Sequence, residues 1–264
     1  MHFISKKMEK ISAVIITQDE ERNIGRCLQS LQGVADEVVV VDSGSTDATG
    51  EICRQYGARF IEHPWDGYDA QKNLANGLAN YSWILSIDAD EALSDSLRET
   101  LGQLKTEGLS EDVVYGMNRL NNYCGTWIYH SGWYPDEKVR LWYKDIASWD
   151  GEVHEELRYS RPVRKVHLKG DLLHYTYSSV QEHALRQIRY ASLAADKAFR
   201  QGKRVGFGAV RYKPMWTFLR NYVFKGGFLD GHAGYLVCRM AAFYTMMKYA
   251  RLRELQKTNR QEKQ

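Results

Sequence analysis

The chain has 264 residues, and 44% of them are hydrophobic, which is enough apolar material for a sizeable core and predicts a globular protein. The cysteines lie far apart without a C-x-x-C pair, which excludes a disulfide framework or a zinc site and favours a reducing cytoplasm; they are Cys27, Cys53, Cys124 and Cys238. The residues up to Lys10 include lysines but no apolar segment, so no secretory signal is predicted.

The formal net charge of +3 hides a strong asymmetry along the chain. Residues 1–100 carry 9 basic and 17 acidic side chains, whereas residues 161–264 carry 21 basic and 6 acidic ones. The acidic first part suits chemistry that a cation assists. The basic, aromatic-rich last third suits an anionic surface such as lipid headgroups, phosphorylated glycans or nucleic acid.

Strands and helices alternate in the first part of the chain. Short β-branched runs at 11–17 and 37–41 predict strands that are buried on both faces, and the apolar spacing from Ile24 to Leu31 predicts a helix between them that ends at Gly33. Further elements are predicted in order: a helix capped by Thr46 or Asp47 and ending at Gly57, a strand at 58–61, a helix at 69–79 and a strand at 83–87. This order indicates βαβ units in an open, mostly parallel α/β sheet flanked by helices.

The chain beyond residue 110 gives a coarser pattern. Strands are predicted at 113–117 and 138–143, and helices at 179–201, 214–225 and 232–255. An aromatic loop joins the two strands and either binds sugars or packs as a lid or core; its aromatic residues are Tyr123, Trp127, Tyr129, Trp133 and Tyr134. We expect a tail at 1–9, a catalytic domain at 10–177 and a basic helical region at 178–264.

The last predicted helix combines apolar and basic residues. Its longest charge-free stretches, 231–238 and 240–247, are far shorter than the roughly 20 apolar residues that a membrane span needs. A basic amphipathic helix of this kind either lies on a membrane surface or packs against the catalytic domain or a second subunit. The sequence leaves these alternatives open.

Three predicted strands end in polar residues, and the ligands of open α/β sheets bind beyond those ends. Thr17 and Glu20 follow the first strand, and Asp42 follows the second. Asp88, Asp90 and Glu91 follow the strand at 83–87, where crowded carboxylates suit Mg²⁺ or Mn²⁺ bound together with substrate phosphates. The alternative is that these acids merely cap the next helix, for which Ser94 is the better cap.

The loops after these strands lack the usual phosphate-binding signatures. No G-x-G-x-x-G turn follows the first strand, and the chain contains no G-x-x-x-x-G-K-[ST] loop. The remaining possibility is a nucleotide whose diphosphate is held by a metal rather than by a glycine-rich cradle.

Four segments in order, 11–20, 38–49, 71–73 and 85–91, resemble a family 2 inverting glycosyltransferase of the GT-A fold, with Asp19 where that family usually has Asn. The resemblance covers residues 9–160 and implies transfer of a sugar from a nucleotide donor such as UDP-glucose. Segments 118–142, 149–157 and 226–231 resemble a bacterial branch that builds lipopolysaccharide cores and other surface glycans.

The resemblance also implies roles for individual residues. It assigns Thr17, Glu20 and Asp42 to the nucleoside and places Lys72 near the donor. Asp88 is expected to contact ribose or metal-bound water, and Asp90 to bind the metal directly.

Inversion in a single displacement requires a base that takes a proton from the acceptor hydroxyl. By resemblance the segment 150–156 supplies it, with Glu155 as the base and His154 as a metal or diphosphate contact. Glu152 and Asp136 remain alternatives for the base, and His174 is a second candidate for the metal site. An acidic surface turn without a catalytic role is the competing interpretation of the segment.

Together these features predict a cytoplasmic, metal-dependent hexosyltransferase, with glucose as the best guess for the sugar, at the inner face of the membrane. Its partners are a UDP-sugar, an anionic glycan or glycolipid acceptor, the membrane surface and, as an open question, a second copy of the chain, but no nucleic acid. A sugar-nucleotide nucleotidyltransferase is one alternative, although it normally has a Gly-rich phosphate loop. The other is a non-catalytic membrane-surface binding module, against which the acids at 42, 88, 90 and 155 argue.

Overall fold

A computed structural model describes residues 8–151 and 156–261 of the chain. The strands are β1 Ile11–Thr17, β2 Glu37–Asp42, β3 Arg59–Glu62, β4 Trp83–Ser86, β5 Glu91–Leu93, β6 Val113–Tyr123, β7 Thr126–Ile128, β8 Glu137–Tyr143, β9 Ala147–Asp150, β10 Glu156–Tyr159 and β11 Arg164–Tyr177. The helices are α1 Ile24–Leu31, α2 Thr49–Gln55, α3 Tyr68–Leu78, α4 Asp95–Glu107, α5 Val180–Arg200, α6 Phe207–Leu219 and α7 Gly231–Gln261. A π-helical turn, Arg220–Phe224, and a 3-10 turn, Gly227–Asp230, separate α6 from α7.

The main sheet has the order β3-β2-β1-β4-β8-β6-β11-β5, and β7 pairs with β6 outside this path. Strands β3, β2, β1 and β4 are parallel, which confirms the predicted βαβ units and the open α/β sheet. Strand β8 runs antiparallel to both β4 and β6, and β11 runs antiparallel to β5. The sheet is therefore mixed rather than mostly parallel, because no crossover helix joins β6 to β8, whereas helices join the first four strands.

The predicted ends of two helices are found in the structure. Helix α1 buries the apolar residues of its predicted stripe, and Gly33 follows it with φ +79°, a conformation that favours glycine. Helix α4 begins after Ser94, whose hydroxyl accepts a hydrogen bond from the Leu97 N–H at 3.3 Å. The sequence signals at these ends therefore act through the local backbone, as expected.

The chain divides into two compact units. The first comprises the residues up to Arg119 together with Asp136–Tyr175, and the second comprises Leu120–Pro135 together with the chain from Thr176 onward. In the first unit the central strands are buried on both faces: Ile15 and Leu85 pack on one side, and Val39, Val41 and Trp142 on the other. The predicted functional boundary between residues 177 and 178 stays a prediction.

Helix α7 packs along α5 and α6 within the second unit. Its Leu252 is buried with Ala195, and its Val237 is buried with Tyr123. Apolar residues of α7 are therefore packed within its own unit, and they are not exposed along the whole length of the helix. In the described part of the chain, no helix combines the length and apolar character needed to cross a membrane.

In the second unit, the bounds of one predicted helix need correction, and the residues of the predicted aromatic loop differ in their burial. The helix predicted at 214–225 begins earlier, at Phe207, and contains Pro214, because a proline without an N–H can be accommodated at the loss of one helical hydrogen bond. The aromatic loop serves packing in part, since Tyr123 and Trp133 contribute to the core of this unit. Tyr129 remains about half exposed.

Candidate active site

The predicted site residues of the first unit lie at the carboxyl ends of neighbouring parallel strands. Thr17 and Asp42 are register partners at the ends of β1 and β2. Asp88 and Asp90 follow β4, the other neighbour of β1. Because adjacent strands lie about 4.8 Å apart, the ends of β2 and β4 are separated by roughly 10 Å, a distance that one nucleotide can bridge.

The loop after β2 is built around the Asp42 carboxylate, which is buried. One oxygen accepts hydrogen bonds from the N–H groups of Gly44 and Ser45 at 2.9 and 2.7 Å, and the other accepts one from the Ser45 hydroxyl at 2.5 Å. The loop after β1 is fastened to it, because the Asp19 carboxylate accepts a hydrogen bond from the Thr46 N–H at 2.7 Å. These contacts fix both loops to each other and to the Asp42 carboxylate.

Asp19 has φ +52°, in the left-handed region that Asn and Asp tolerate better than other residues with side chains. This conformation explains why Asp can stand where the resemblance expects Asn. The exchange preserves both the backbone shape and an oxygen that accepts the Thr46 hydrogen bond.

Thr17 has a buried side chain, 5% exposed, whose hydroxyl has no hydrogen-bond partner among the described residues. His63 Nδ1 and Gln71 Oε1 are also buried without a partner in the described part of the chain. His63 donates its backbone N–H to the Asp42 carbonyl, and Gln71 donates its side-chain amide to the Ser43 hydroxyl at 3.2 Å. Unsatisfied polar atoms that gather around one loop are a sign of a binding site, because burial without a partner costs free energy.

Glu20 lies four residues before the first residue of α1. Its N–H donates to the Thr49 hydroxyl at 2.8 Å, and its carboxylate accepts from the Asn23 side chain at 2.8 Å. Its carbonyl oxygen accepts the Ile24 N–H. Glu20 thus joins α1 to α2, and its predicted contact with the nucleoside stays a prediction.

The three residues of the motif at 71–73 reach three different partners from helix α3. Gln71 holds the loop after β2, as described above. Lys72 is buried, with its ammonium 3.4 Å from the Asp88 carboxylate and 4.5 Å from the centre of the Trp149 ring. Asn73 exchanges two hydrogen bonds with the backbone of Trp149, at 2.8 and 2.9 Å. The motif therefore connects the Asp42 loop, the acids after β4 and strand β9.

Asp88 is held by two cations. Arg140 donates to its carboxylate at 2.7 Å, and Lys72 lies on its other oxygen. Burial acts to raise the pKa of Asp88, but Arg140 and then Lys72 outweigh it, so that the pKa lies well below its usual range. Asp88 is consequently ionised throughout the physiological range.

Glu91 is the buried partner of this ion pair. Its carboxylate accepts from Arg140 at 2.6 Å and from the Asp88 N–H at 3.0 Å, and Arg119 lies 3.7 Å away. Burial raises the pKa of Glu91, and the neighbouring Asp88 carboxylate adds to this effect. Burial opposes the charge of Arg140, but Asp88 and Glu91 more than offset this and raise its pKa.

Arg140 is not among the site residues predicted from the sequence. The available signal was a single arginine within the apolar strand predicted at 138–143, because arginine is almost never buried without an acidic partner. The sequence contains three acids, at 88, 90 and 91, that can pair with it. The spacing of residues alone could not show that β8 lies beside β4 and thereby brings Arg140 to these acids.

Asp90 lies beside His174, the second candidate for the metal site, with 3.1 Å between the carboxylate and Nε2. The pair is positioned by β11, since the Tyr175 N–H donates to the Asp90 carbonyl at 2.9 Å. The Asp90 carboxylate is a ligand that suits Mn²⁺ or Mg²⁺ when phosphates complete the coordination shell, and the His174 imidazole beside it would add a nitrogen ligand. Among residues 8–151 and 156–261, no group of three or more His, Cys, Asp or Glu could hold a metal by itself.

The candidates for the base, and the predicted metal or diphosphate contact His154, are only partly described. Glu152, His154 and Glu155 lie outside the described residues, so their roles stay predictions. Asp136 is described: burial acts to raise its pKa, but Arg119 and Lys138 outweigh this and lower it. A carboxylate with a lowered pKa is a weaker base, which disfavours Asp136.

Comparison with known proteins shows which family and which relatives this chain resembles. The model of glycosyl transferase family 2 matches residues 12–169. An uncharacterized glycosyltransferase from Rickettsia typhi is 31% identical over 94% of this chain and 88% of that protein. The lipopolysaccharide core biosynthesis glycosyltransferase LpsC from Rhizobium meliloti is 31% identical over 92% of this chain and 91% of its own length. A crystal structure of S. aureus TarS 1–349 in complex with UDP is 15% identical, covers 95% of this chain and 92% of that one, and has a TM-score of 0.45.

The family match and these relatives identify the chain as an enzyme of the glycosyltransferase class. The chain belongs to glycosyltransferase family 2. The predicted resemblance to this family is confirmed, and its relatives include a lipopolysaccharide core enzyme. The predicted GT-A-like arrangement, with helices around the sheet and a helical C-terminal part, is also found.

Proposed function

We propose that this enzyme transfers a hexose, with glucose as the best single choice, from a UDP-sugar to a lipopolysaccharide-core or lipid-linked glycan acceptor, with inversion at the anomeric carbon. The observation that carries the proposal is the unsatisfied Thr17 hydroxyl beside the fixed Asp42 loop, one strand away from the acids after β4. The name and identity of the Rhizobium relative support the acceptor class.

Thr17, Asp42 and Glu20 contact the nucleoside in this proposal. The Asp42 carboxylate accepts hydrogen bonds from donor groups, such as a uracil imide or a ribose hydroxyl. Lys72 lies next to the donor and keeps its ammonium between Asp88 and the Trp149 ring. Asp88 contacts the ribose or water on the metal.

A divalent ion, Mg²⁺ or Mn²⁺, fits Asp90 together with His174, and His154 is the further predicted ligand. When bound, such an ion acts as a Lewis acid that offsets the negative charge on the departing UDP. The fixed cations Lys72 and Arg140 lie beside Asp88 and counter the negative charge of the acids.

The transfer itself is a single displacement. The acceptor hydroxyl oxygen bonds to the anomeric carbon while the bond from that carbon to the UDP phosphate oxygen breaks. Glu155 takes the hydroxyl proton, and UDP leaves with the electron pair of the broken bond. Strand β9 precedes Glu155 in the sequence, and the two hydrogen bonds between Asn73 and Trp149 fix this strand to α3.

The basic residues of the last third of the chain suit an anionic acceptor at the cytoplasmic face of a membrane. Nucleic acid is not among the proposed partners. A nucleotidyltransferase differs from this proposal in its product, because it releases pyrophosphate whereas sugar transfer releases UDP.

A thermal-shift screen of nucleotide sugars with and without Mn²⁺ tests donor binding, since a ligand of the native state raises Tm. We expect UDP-sugars to raise Tm only with the metal, and Asp90→Ala to abolish that shift. Incubation with UDP-glucose and lipopolysaccharide-core acceptors then tests transfer through the release of UDP. A protein that shows no metal-dependent shift with any UDP-sugar, or that releases pyrophosphate, does not have the proposed function.

A further inference from the structure

Helix α6 in the second unit is rich in apolar residues but buries none of them. Its sequence, FGAVRYKPMWTFL, contains Phe, Val, Tyr, Met, Trp and Leu side chains, and no residue of the helix is buried within the protein. A helix that is apolar over most of its surface is usually buried. The exposed apolar surface of α6 therefore points to a partner outside the chain.

One side of α6 packs against α7. Lys213 donates to the Tyr249 hydroxyl at 3.0 Å, the hydroxyls of Thr217 and Thr245 are 3.3 Å apart, and the ring of Phe218 meets that of Tyr235 at 5.9 Å. Positions 213, 217 and 218 follow helical spacing, so they define the side that faces α7. The remaining side carries the exposed residues.

The exposed residues of that side are also spaced as one face of a helix. Positions 212, 215, 216, 219 and 223 recur every three or four residues, and the last of them belongs to the π-helical turn that continues α6. Phe224 follows and meets the Trp216 ring at 5.8 Å. We call this surface the α6 apolar face; it consists of Tyr212, Met215, Trp216, Leu219, Val223 and Phe224, all exposed.

The next turn extends the same kind of surface. Phe228 and Leu229 of the 3-10 turn are more than half exposed, and the Phe228 ring lies 6.2 Å from that of Tyr222. Phe224 is 69% exposed and Trp216 is 54% exposed. Large aromatic side chains are rarely presented to water in such a series, which sets this surface apart from scattered exposed residues.

The charge of this segment indicates what the partner is. Residues 197–229 contain eight lysines and arginines and no acidic residue. Arg211, Arg220 and Lys225 are exposed and lie within or beside the α6 apolar face in sequence. Aromatic and aliphatic groups flanked by cations suit a bilayer interface, where apolar side chains enter the acyl boundary and cations meet lipid phosphates.

We propose that the α6 apolar face docks this enzyme onto a membrane surface rich in anionic lipid. Helix α6 has 13 residues and so is far shorter than a membrane span, which is consistent with a helix that lies in the interface. This inference assigns the membrane contact of the proposed function to α6 rather than α7, whose apolar residues pack against α5 and α6. This inference rests on the proposed function in one respect: the proposed acceptor gives the enzyme a biological reason to be at a membrane.

Vesicle sedimentation tests the proposal with the full chain. We expect binding to phosphatidylcholine vesicles that contain phosphatidylglycerol, and about tenfold weaker binding for a Trp216→Ser, Phe224→Ser double variant. Trp65→Ser is the matched control, because Trp65 belongs to the first unit and is 50% exposed, close to the 54% of Trp216. This control should bind vesicles as the unaltered chain does. Arg220→Gln with Lys225→Gln should weaken binding and reduce its dependence on salt.

Several results would overturn the proposal. They are the absence of binding to anionic vesicles, equal binding by the double variant and the unaltered chain, or equal loss in the Trp65→Ser control. A dimer seen by light scattering that the double variant converts to a monomer would show instead that a second copy covers the face. Circular dichroism confirms that each variant is folded. Transfer to a soluble core oligosaccharide is measured separately, so loss of vesicle binding with intact transfer distinguishes the docking surface from the proposed chemistry.

Discussion

Arg140 donates a hydrogen bond of 2.6 Å to Glu91, and both side chains are almost wholly buried, at 4% and 0% exposure. The same guanidinium group reaches Asp88 at 2.7 Å. The buried Arg140 guanidinium thus pairs with two acids: Asp88, which is expected to contact the donor, and Glu91. The ion pair fixes Asp88 in place and keeps it ionised.

Arg140→Met should destabilise the protein by about 3–5 kcal/mol, because it leaves buried carboxylates without their cation. Lys165→Met is the control: Lys165 pairs with Glu137 at 2.8 Å, but both groups are substantially exposed, so its removal should cost less than about 1 kcal/mol. Denaturant unfolding measures both losses. Similar losses in the two variants would contradict the structural importance of the buried pair.

Glu155→Gln should retain donor binding and lose transfer by a factor of about 10²–10⁴, since the variant lacks the base. Thermal shift with a UDP-sugar measures the first property, and the release of UDP measures the second. Asp136→Asn should transfer nearly as fast as the unaltered enzyme, because Arg119 and Lys138 already hold the pKa of Asp136 low. Normal transfer by Glu155→Gln would remove Glu155 from the mechanism.

His183 should make the stability of the protein depend on pH. Burial, and then Arg186, lower the pKa of His183 to about 4, and the ring stacks on Tyr177 with centroids 4.1 Å apart. Between pH 6.5 and pH 4 the unfolded chain takes up a proton at this site while the folded chain does not. Acidification through this window should therefore cost up to about 3 kcal/mol of folding free energy, with little further loss from His183 below pH 4.

Unfolding at pH 7 and at pH 4.5 measures the effect for His183. His183→Gln should show a smaller loss of stability between these two conditions than the unaltered chain, whatever its stability at pH 7. The same loss in both proteins would mean that the pKa of His183 is not lowered by folding.

Gly170→Ala should be among the most destabilising small substitutions. Gly170 has φ +98°, and a Cβ there would lie 2.4 Å from the backbone nitrogen of Leu97, at the start of α4. Gly33→Ala is the matched control, since Gly33 has φ +79° but has open space around it. The control should lose about 1–2 kcal/mol from the backbone conformation alone, and Gly170→Ala should lose clearly more in thermal or denaturant unfolding. Equal losses would contradict the close approach of β11 to α4.

The first part of the fold could be predicted because its signals are local. Buried β-branched runs, helical spacing and the caps at Ser94 and Gly33 each act over a few residues, and the elements they predict are present. The antiparallel half of the sheet depends on which distant strands pair. A strand pattern does not contain that information, so the sheet was expected to be mostly parallel.

The site residues divide in the same way, into those that local signals predict and those whose position depends on the pairing of distant strands. The acids at 42, 88 and 90 could be found because they directly follow strands that the sequence predicts. The pairing of Arg140 with Asp88 and Glu91 could not be predicted, because these acids lie 52 and 49 residues away along the chain. His174 was a candidate, but its position beside Asp90 depends on the pairing of β11 with β5.

The hydrogen bonds around Asp42 have a consequence for affinity. The N–H groups of Gly44 and Ser45 donate hydrogen bonds to this carboxylate, so the loop loses its backbone freedom during folding and not when a ligand binds. Ordering a flexible segment costs about 1–2 kcal/mol per residue, which an incoming molecule would otherwise have to overcome. A loop that is ordered in this way allows a few weak contacts to bind a small ligand.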